Sequence, residues 1–234
     1  PVTFCMDRAG LSANDGPTHH GLFDIAYLNC VPGIVAMAPA NEDELADMMF
    51  TATHQNLPAF IRYPRGSGEG VAVKEQSAMI EIGKAEVLQN FSNNGQPKVA
   101  FFALGPMRNI ADDAIEELGA DNIDAAIINP RFTKPIDRGT TEFFAEAADV
   151  LITIEDHVLR GGYGSIVRDH LADIGIRTPV VRIGWPDQFI EHASSVGYLR
   201  EKHGLTGISA AEQIRQSLGR AADESPALGQ AVGQ

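Results

Sequence analysis

The chain has 234 residues, 44% hydrophobic and 21% charged, the balance of an ordinary globular protein with length for one large domain or two modest ones. Its 31 acidic against 18 basic residues give a formal charge of −13, which disfavours a general nucleic-acid or anionic-membrane surface but leaves room for a local basic pocket. Cys5 and Cys30 form no disulfide framework, and no apolar run approaches the roughly 18 residues of a membrane span. Both cysteines stand in apolar surroundings, so buried free thiols and a reducing, cytoplasmic setting are expected. The amino terminus has no basic n-region and no signal-type apolar core.

Residues 2–6 read as a short strand already under way at Pro1, with no initiator Met, so a piece of a longer chain is expected. A polar loop follows, from Asp7 to Gly21, with an Asp–Arg pair, a second acid at Asp15, adjacent His19 and His20, and three glycines. Such a loop between two apolar segments is where a scaffold presents binding or catalytic groups. The two neighbouring imidazoles cannot both face one point unless the loop turns sharply. Gly21 to Leu28 suggests a helical segment. Ile34 to Ala38, bounded by Pro32-Gly33 and Pro39, suits a strand buried on both faces of a parallel sheet. Asn41 is placed to cap a helix whose first turn carries Glu42, Asp43 and Glu44 and whose apolar face is Leu45, Met48, Met49 and Ala52. Ala59 to Tyr63 is the next strand, stopped by Pro64 and Gly66, which makes a right-handed parallel unit.

Residues 66–96 show no strong periodicity beyond Ala85 to Leu88, and their glycines and polar cluster mark turns and a crossing. A second series then alternates: strands at Val99–Leu104, Ala125–Ile128, Val150–Ile154 and Val180–Ile183, with helices at Met107–Leu118, Thr140–Ala148, Gly164–Ile174 and Ala210–Leu218. The class is α/β with mostly parallel strands. The expected divisions are 1–75, a crossing at 76–96, a second domain at 97–222, and a frayed tail at 223–234. Three strands and about two helices cannot cover both faces of the first sheet, so that unit is expected to be incomplete.

Several clusters carry candidate chemistry. Arg62 and Arg65, at a strand's carboxyl end with Pro64 between them, suit bidentate recognition of phosphate or carboxylate, where parallel sheets bind ligands. The alternative is a solvated basic turn. Gly161-Gly162-Tyr163-Gly164 could offer backbone N–H groups to an anion, although close packing or a subunit contact is the expected use. Glu155-Asp156-His157 reads as a solvated strand end, Trp185-Pro186-Asp187 as a packing anchor and turn, and Arg200 to His203 as a solvated face. No HExxH, no paired histidines at helical spacing and no cysteine cluster suggest a metal site. No GxSxG elbow supports a serine hydrolase.

The loop Asp7-Arg8-Ala9-Gly10-Leu11 with Asp15-Gly16-Pro17-Thr18-His19-His20-Gly21 resembles the substrate loop of the 1-deoxy-D-xylulose-5-phosphate synthase family, within the transketolase superfamily. Met37 to Glu44, Arg62 to Gly66, Arg131 to Asp137, the Gly161–Gly164 turn and Ile183 to His192 are similar to further segments of that family in the same order. The resemblance covers about residues 1–220. It implies an incomplete parallel-sheet pyrimidine-binding domain followed by a complete transketolase C-terminal-like α/β domain. The implied enzyme is a homodimer using thiamine diphosphate and Mg²⁺. It joins pyruvate, with decarboxylation, to D-glyceraldehyde 3-phosphate for isoprenoid, thiamine and pyridoxal biosynthesis. By the same resemblance Arg8 and Arg65 hold the acceptor's phosphate, and Asp15 hydrogen-bonds its hydroxyl. His19 lies near the reacting centre and the cofactor's aminopyrimidine, assisting proton transfer. The family's Gly-Asp-Gly diphosphate and metal motif is absent from these residues, and its catalytic Glu is expected before Pro1, so the chain alone is expected to be inactive. His157 stands where some relatives carry Asn. Two other accounts remain open at this stage: a C-terminal subunit of a split transketolase-type enzyme, and a non-catalytic interaction module on the same fold.

Overall fold

A computed structural model describes residues 1–12, 15–192 and 195–224. Two sheets organise the chain. The first is built from β1 (Thr3–Met6), β2 (Val35–Met37), β3 (Ala59–Arg62) and β7 (Phe132–Lys134), in the order β1-β3-β2-β7. The second contains β4 (Glu86–Gln89), β5 (Lys98–Ala103), β6 (Asp124–Asn129), β8 (Val150–Val158) and β9 (Val180–Trp185), in the order β4-β6-β5-β8-β9. Within each sheet the pairings are parallel except at one edge strand, β7 against β2 and β4 against β6. This is the α/β architecture that the alternating apolar runs imply.

The helices are α1 (Asp24–Asn29), α2 (Glu42–His54), α3 (Arg108–Glu117), α4 (Arg138–Ala147), α5 (Tyr163–Asp173), α6 (Val196–His203) and α7 (Gly207–Glu224). Asn41 caps α2 as expected: its side chain accepts from the Glu44 N–H at 3.0 Å, and Glu44 reaches back to the Ala40 N–H at 2.7 Å. That pair satisfies one open donor of the first turn and one on the residue before the cap. Met48 and Ala52 then pack on Val35, Met37 and Ile61 of the first sheet. One face of the second sheet buries Phe101, Ile152 and Trp185 against α3, α6 and α7, and the other buries Phe102 and Leu151 against α4 and α5. Removing a side chain of that size from water contributes roughly 1.5–3 kcal/mol, so this double-faced core dominates the second sheet's stability.

Two strands and the cysteines differ from the sequence expectation. The crossing expected at 76–96 contains β4, which closes one edge of the second sheet. Its preceding stretch is laid along α2 by acids on that helix: the N–H groups of Gly70, Lys74 and Ala78 donate to Glu42, Asp43 and Asp47. β7 leaves the second α/β series and joins the first sheet, where the Ala38 N–H also donates to Arg131 O at 2.8 Å. The Arg200–His203 stretch lies on α6 with Glu201 and Lys202 exposed, the solvated face expected of it, while the preceding Leu199 is fully buried. Cys5 and Cys30 are exposed rather than buried. Cys5 lies on β1, an edge strand with β3 on one side, and edge strands are covered less completely than central ones. The tail expected at 223–234 lies, from 225 onward, outside the described residues. Among the described residues no helix is long and apolar enough to cross a membrane.

Candidate active site

β1 and β3 run parallel, and their pairing continues beyond the strands: the Tyr63 N–H donates to Met6 O at 3.1 Å and the Ala9 N–H to Tyr63 O at 2.9 Å. The segments bearing Arg8 and Arg65 therefore leave the sheet side by side at its carboxyl ends, the position where parallel sheets take ligands. Arg8 has φ +60°, a left-handed backbone that costs a non-glycine residue about 1 kcal/mol or more and is held only where surroundings enforce it. Both guanidinium groups converge on one carboxylate. Asp15 Oδ2 lies 3.0 Å from Arg65 Nη1 and 3.4 Å from Arg8 Nε, while Arg8 Nη1 also reaches Asp7 Oδ2 at 3.0 Å.

These side chains are partly open to solvent: 49% for Arg65, 38% for Arg8 and 22% for Asp15. Exposed pairs of this kind contribute about 0–1 kcal/mol to stability, so the cluster is poorly explained as a structural device. Its chemical character is clear. Two guanidinium forks, each with N–H donors beyond those spent on Asp15, face solvent beside an acceptor-only carboxylate. That combination can hold an anionic group and a neighbouring hydroxyl together.

The loop between Gly10 and Gly21 is pinched at its base, where each residue's N–H donates to the other's carbonyl at 2.9 and 2.8 Å. Inside it, the Asp15 N–H donates to Ser12 O at 2.9 Å and the His19 N–H to Gly16 O at 3.0 Å. The two histidines part company. His19 is exposed, its Nδ1 3.0 Å from Thr18 Oγ1. His20 is buried, and its Nδ1 accepts from the Ser12 N–H at 3.1 Å, which places the ring proton of the neutral form on Nε2. The structure thus gathers Arg8, Asp15 and Arg65, and carries His19 outward on the same loop.

Arg62 does not join them. Grouped with Arg65 by sequence, it lies inside the protein, its Nε 2.7 Å and its Nη2 3.2 Å from the two Asp24 carboxylate oxygens, with Nη2 also donating to Asp156 O at 3.1 Å. Burial opposes its charge, but Asp24, Asp156 and Glu155 hold its pKa above the ordinary arginine value. Glu155-Asp156-His157, expected as a solvated strand end, is instead the buried continuation of β8. Asp156 Oδ1 accepts from Trp185 Nε1 at 2.6 Å, and Oδ2 lies 3.4 Å from Arg200 Nη2. His157 donates from Nδ1 to Val158 O at 2.7 Å, and burial followed by the nearby Arg62 charge lowers its pKa. The Gly161–Gly164 turn does present backbone N–H groups, but to an internal carboxyl group: Glu155 accepts from Tyr163 N at 2.5 Å and Gly164 N at 2.9 Å. Close packing is the reason for glycine there, since a Cβ on Gly162 would stand 2.2 Å from Glu155 Oε2. Sequence patterns could not reveal the roles of Arg62 and Asp156 because their side-chain partners are remote in the chain.

Among the described residues, no group of three or more His, Cys, Asp or Glu side chains is placed to hold a metal ion. The sequence matches the transketolase C-terminal domain family over residues 83–207 and the transketolase pyrimidine binding domain family over residues 1–69. It is 55% identical over 213 residues to 1-deoxy-D-xylulose-5-phosphate synthase of Methylacidiphilum infernorum, covering 91% of this chain and 33% of that protein. To the enzyme of the same name from Acidobacterium capsulatum it is 50% identical over 222 residues, covering 95% and 34%. The chain therefore spans about a third of the length of the curated relatives it matches. Among solved structures, a split-gene transketolase described as an inactive β4 tetramer superposes with a TM-score of 0.77 at 28% identity, covering 93% of this chain and 66% of the other. A transketolase mutant from Pichia stipitis superposes with a TM-score of 0.72 at 16% identity, covering 95% and 31%, a likeness of fold.

Proposed function

The chain belongs to the transketolase family, and on that premise we propose that it forms the acceptor-binding part of a 1-deoxy-D-xylulose-5-phosphate synthase. The whole enzyme would condense pyruvate, with loss of CO₂, and D-glyceraldehyde 3-phosphate. The family implies thiamine diphosphate, which when bound supplies the electron sink for decarboxylation. The fit of this chain to that group is partial. It offers no donor set for Mg²⁺ among its described residues and no Gly-Asp-Gly motif, so those contacts are assigned to sequence outside the 234 residues. What it offers is His19, a solvent-facing imidazole on the substrate loop, suited to moving a proton beside the cofactor's aminopyrimidine and the reacting carbonyl. Homodimer assembly and a cytoplasmic setting are parts of the same proposal.

The observation that carries this assignment is the Asp15 carboxylate shared by Arg8 and Arg65 at adjacent strand ends. In the proposed complex the two guanidinium groups hold the acceptor's phosphate dianion, and Asp15 accepts a hydrogen bond from the acceptor's hydroxyl. His19 gives or takes the proton that the carbonyl oxygen exchanges as the new bond forms. A charge-assisted hydrogen bond contributes about 1.5–3 kcal/mol, so Arg65→Ala should weaken D-glyceraldehyde 3-phosphate binding by roughly ten- to a hundredfold. Titration calorimetry on the complete enzyme tests this, and unchanged affinity would remove the phosphate role. Turnover of both substrates by the 234 residues alone would overturn the assignment of cofactor contacts to sequence outside them.

One observation favours a second account. The likeness to a split-gene transketolase at 28% identity fits a separately encoded C-terminal subunit paired with a partner holding the diphosphate site. Genomic sequence upstream of the Pro1 codon separates the two: a frame continuing to the length of the synthases supports the first, and a nearby start codon the second.

A further inference from the structure

The loop that carries Arg8, Asp15 and His19 is seated at both ends on the second sheet, at the carboxyl end of β8. At its exit, the Val158 N–H donates to Leu22 O at 3.0 Å. At its entrance, Gly10 has φ +78°, and a Cβ built there would stand 2.3 Å from Asp156 Oδ2 and 2.4 Å from Asp156 Cγ. The bare Gly10 backbone thus rests directly on the Asp156 carboxylate. The bridge between Gly10 and Gly21 ties the loop's entrance to its exit.

That carboxylate is unusually well fixed. Its side chain is 10% exposed. Trp185, itself fully buried, donates to Oδ1 at 2.6 Å, and Arg200 Nη2 lies 3.4 Å from Oδ2. Its backbone carbonyl accepts from Arg62 Nη2 at 3.1 Å, and Arg62 is in turn locked to Asp24. Asp156 therefore joins β3, β8, β9 and α6 at one point, and that point is the surface under Gly10. Arg8 lies two residues before Gly10 and Asp15 five after it. A displacement of the base would shift both phosphate and hydroxyl contacts, and misplacements near 1 Å can cost about a hundredfold in rate.

We propose that Asp156 is a positioning residue for the acceptor site, its carboxylate serving as the seat that fixes Gly10 and, through it, Arg8 and Asp15. This rests on the assignment of the acceptor site above. The second sheet then sets the geometry of a site built on the first, without touching the substrate.

The test is a double-mutant cycle in the complete, cofactor-loaded enzyme, using Gly10→Ala, Asp156→Ala and both together, with Asp156→Asn and Arg65→Ala as companions. An alanine at Gly10 carries left-handed strain in either background, so that cost cancels in the cycle and only the clash with the carboxylate remains. Gly10→Ala and Asp156→Ala should each raise KM for D-glyceraldehyde 3-phosphate about tenfold while KM for pyruvate stays within about twofold. The double variant should be at least fivefold better than the product of the single effects, because removing the carboxylate makes room for the methyl group. Asp156→Asn, which keeps the shape and an acceptor for Trp185, should stay within about threefold of wild type and keeps the test open if the alanine variants fold poorly. Multiplicative single effects, an equal rise in both KM values, or an asparagine variant as impaired as the alanine variant would each overturn the proposal. Arg65→Ala separates the two levels: if it leaves acceptor KM unchanged, the acceptor-site assignment fails, whereas a rise there with a multiplicative cycle sinks only the role of Asp156.

Discussion

Arg62 and Arg65 are three residues apart at the end of one strand, yet they meet opposite fates. Arg62 is 4% exposed and spends its donors on Asp24 and the Asp156 carbonyl, while Arg65 is 49% exposed and shares the Asp15 carboxylate with Arg8. The difference teaches how to separate a structural cation from a binding one. A buried guanidinium survives only when its donors are matched inside the protein, because desolvation would otherwise exceed any Coulombic gain. A half-exposed guanidinium whose carboxylate is contested by a second arginine retains donors for a ligand. Identity of residue type and nearness in sequence say nothing about which case applies.

The sharpest way to break this comparison is to remove each arginine in turn. Arg62→Ala leaves Asp24 buried and uncompensated, which should destabilise the protein by about 3–5 kcal/mol. Arg65→Ala removes an exposed partner and should cost about 1 kcal/mol or less. Urea unfolding followed by far-UV circular dichroism measures both. Equal losses would mean that Arg65 is as structural as Arg62, and the distinction between the clusters would collapse.

The interior cluster has a second marked member. Glu155 is buried, and desolvation raises its pKa from 4.5 to about 7 despite the N–H groups of Gly164 and Tyr163 and the nearby charges of Arg62 and Arg182. Between those two values the folded protein binds a proton that the unfolded chain has released. The stability associated with that proton is present below the unfolded pKa and is lost as pH rises through about 7. That difference corresponds to on the order of 3 kcal/mol. Glu155→Gln does not titrate, so the difference in unfolding free energy between it and wild type should change by roughly that amount between pH 5 and 8, with wild type losing ground at the higher pH. A parallel pair of pH profiles would show that Glu155 ionises normally and that the interior pays no such penalty.

How much of this could be read from the chain follows the same division. Elements defined by their own residues were legible: the apolar strands from Val35 to Ile183, the Asn41 cap, the Met48 and Ala52 face, and the α/β class. Arg8, Asp15 and Arg65 are conspicuous as charged residues in glycine-punctuated loops, but only the family resemblance groups them as one site without Arg62, and they do meet. Features defined by remote partners were not legible. Glu155 to His157 looks polar enough to end a strand, but Trp185, Arg200, Arg62 and the start of α5 supply partners that let the strand continue inward. β7 follows a second α/β series in sequence and pairs with the first sheet, a choice no local pattern specifies. Cys5 has apolar neighbours in sequence but lies on an edge strand, and sequence context does not report what covers an edge.

The smallest effect probes the exposed cluster most closely. Asp15 holds both arginines at 3.0 and 3.4 Å, and in the proposed complex it serves the acceptor's hydroxyl while they serve the phosphate. Those roles conflict for a bare anion: the carboxylate occupies guanidinium donors and repels the incoming charge by about 1 kcal/mol at contact distance in water. Asp15→Asn removes that repulsion and keeps a hydrogen-bonding group of the same size. It should therefore bind inorganic phosphate as well as wild type or up to about fivefold more tightly, while binding D-glyceraldehyde 3-phosphate more weakly because the hydroxyl loses a charged acceptor. Opposite signs for the two ligands, measured by calorimetry at one ionic strength, would separate anion recognition by Arg8 and Arg65 from hydroxyl recognition by Asp15. If both ligands weaken together, Asp15 acts by holding the arginines in place, and the exposed cluster resembles the buried one more than its solvent exposure implies.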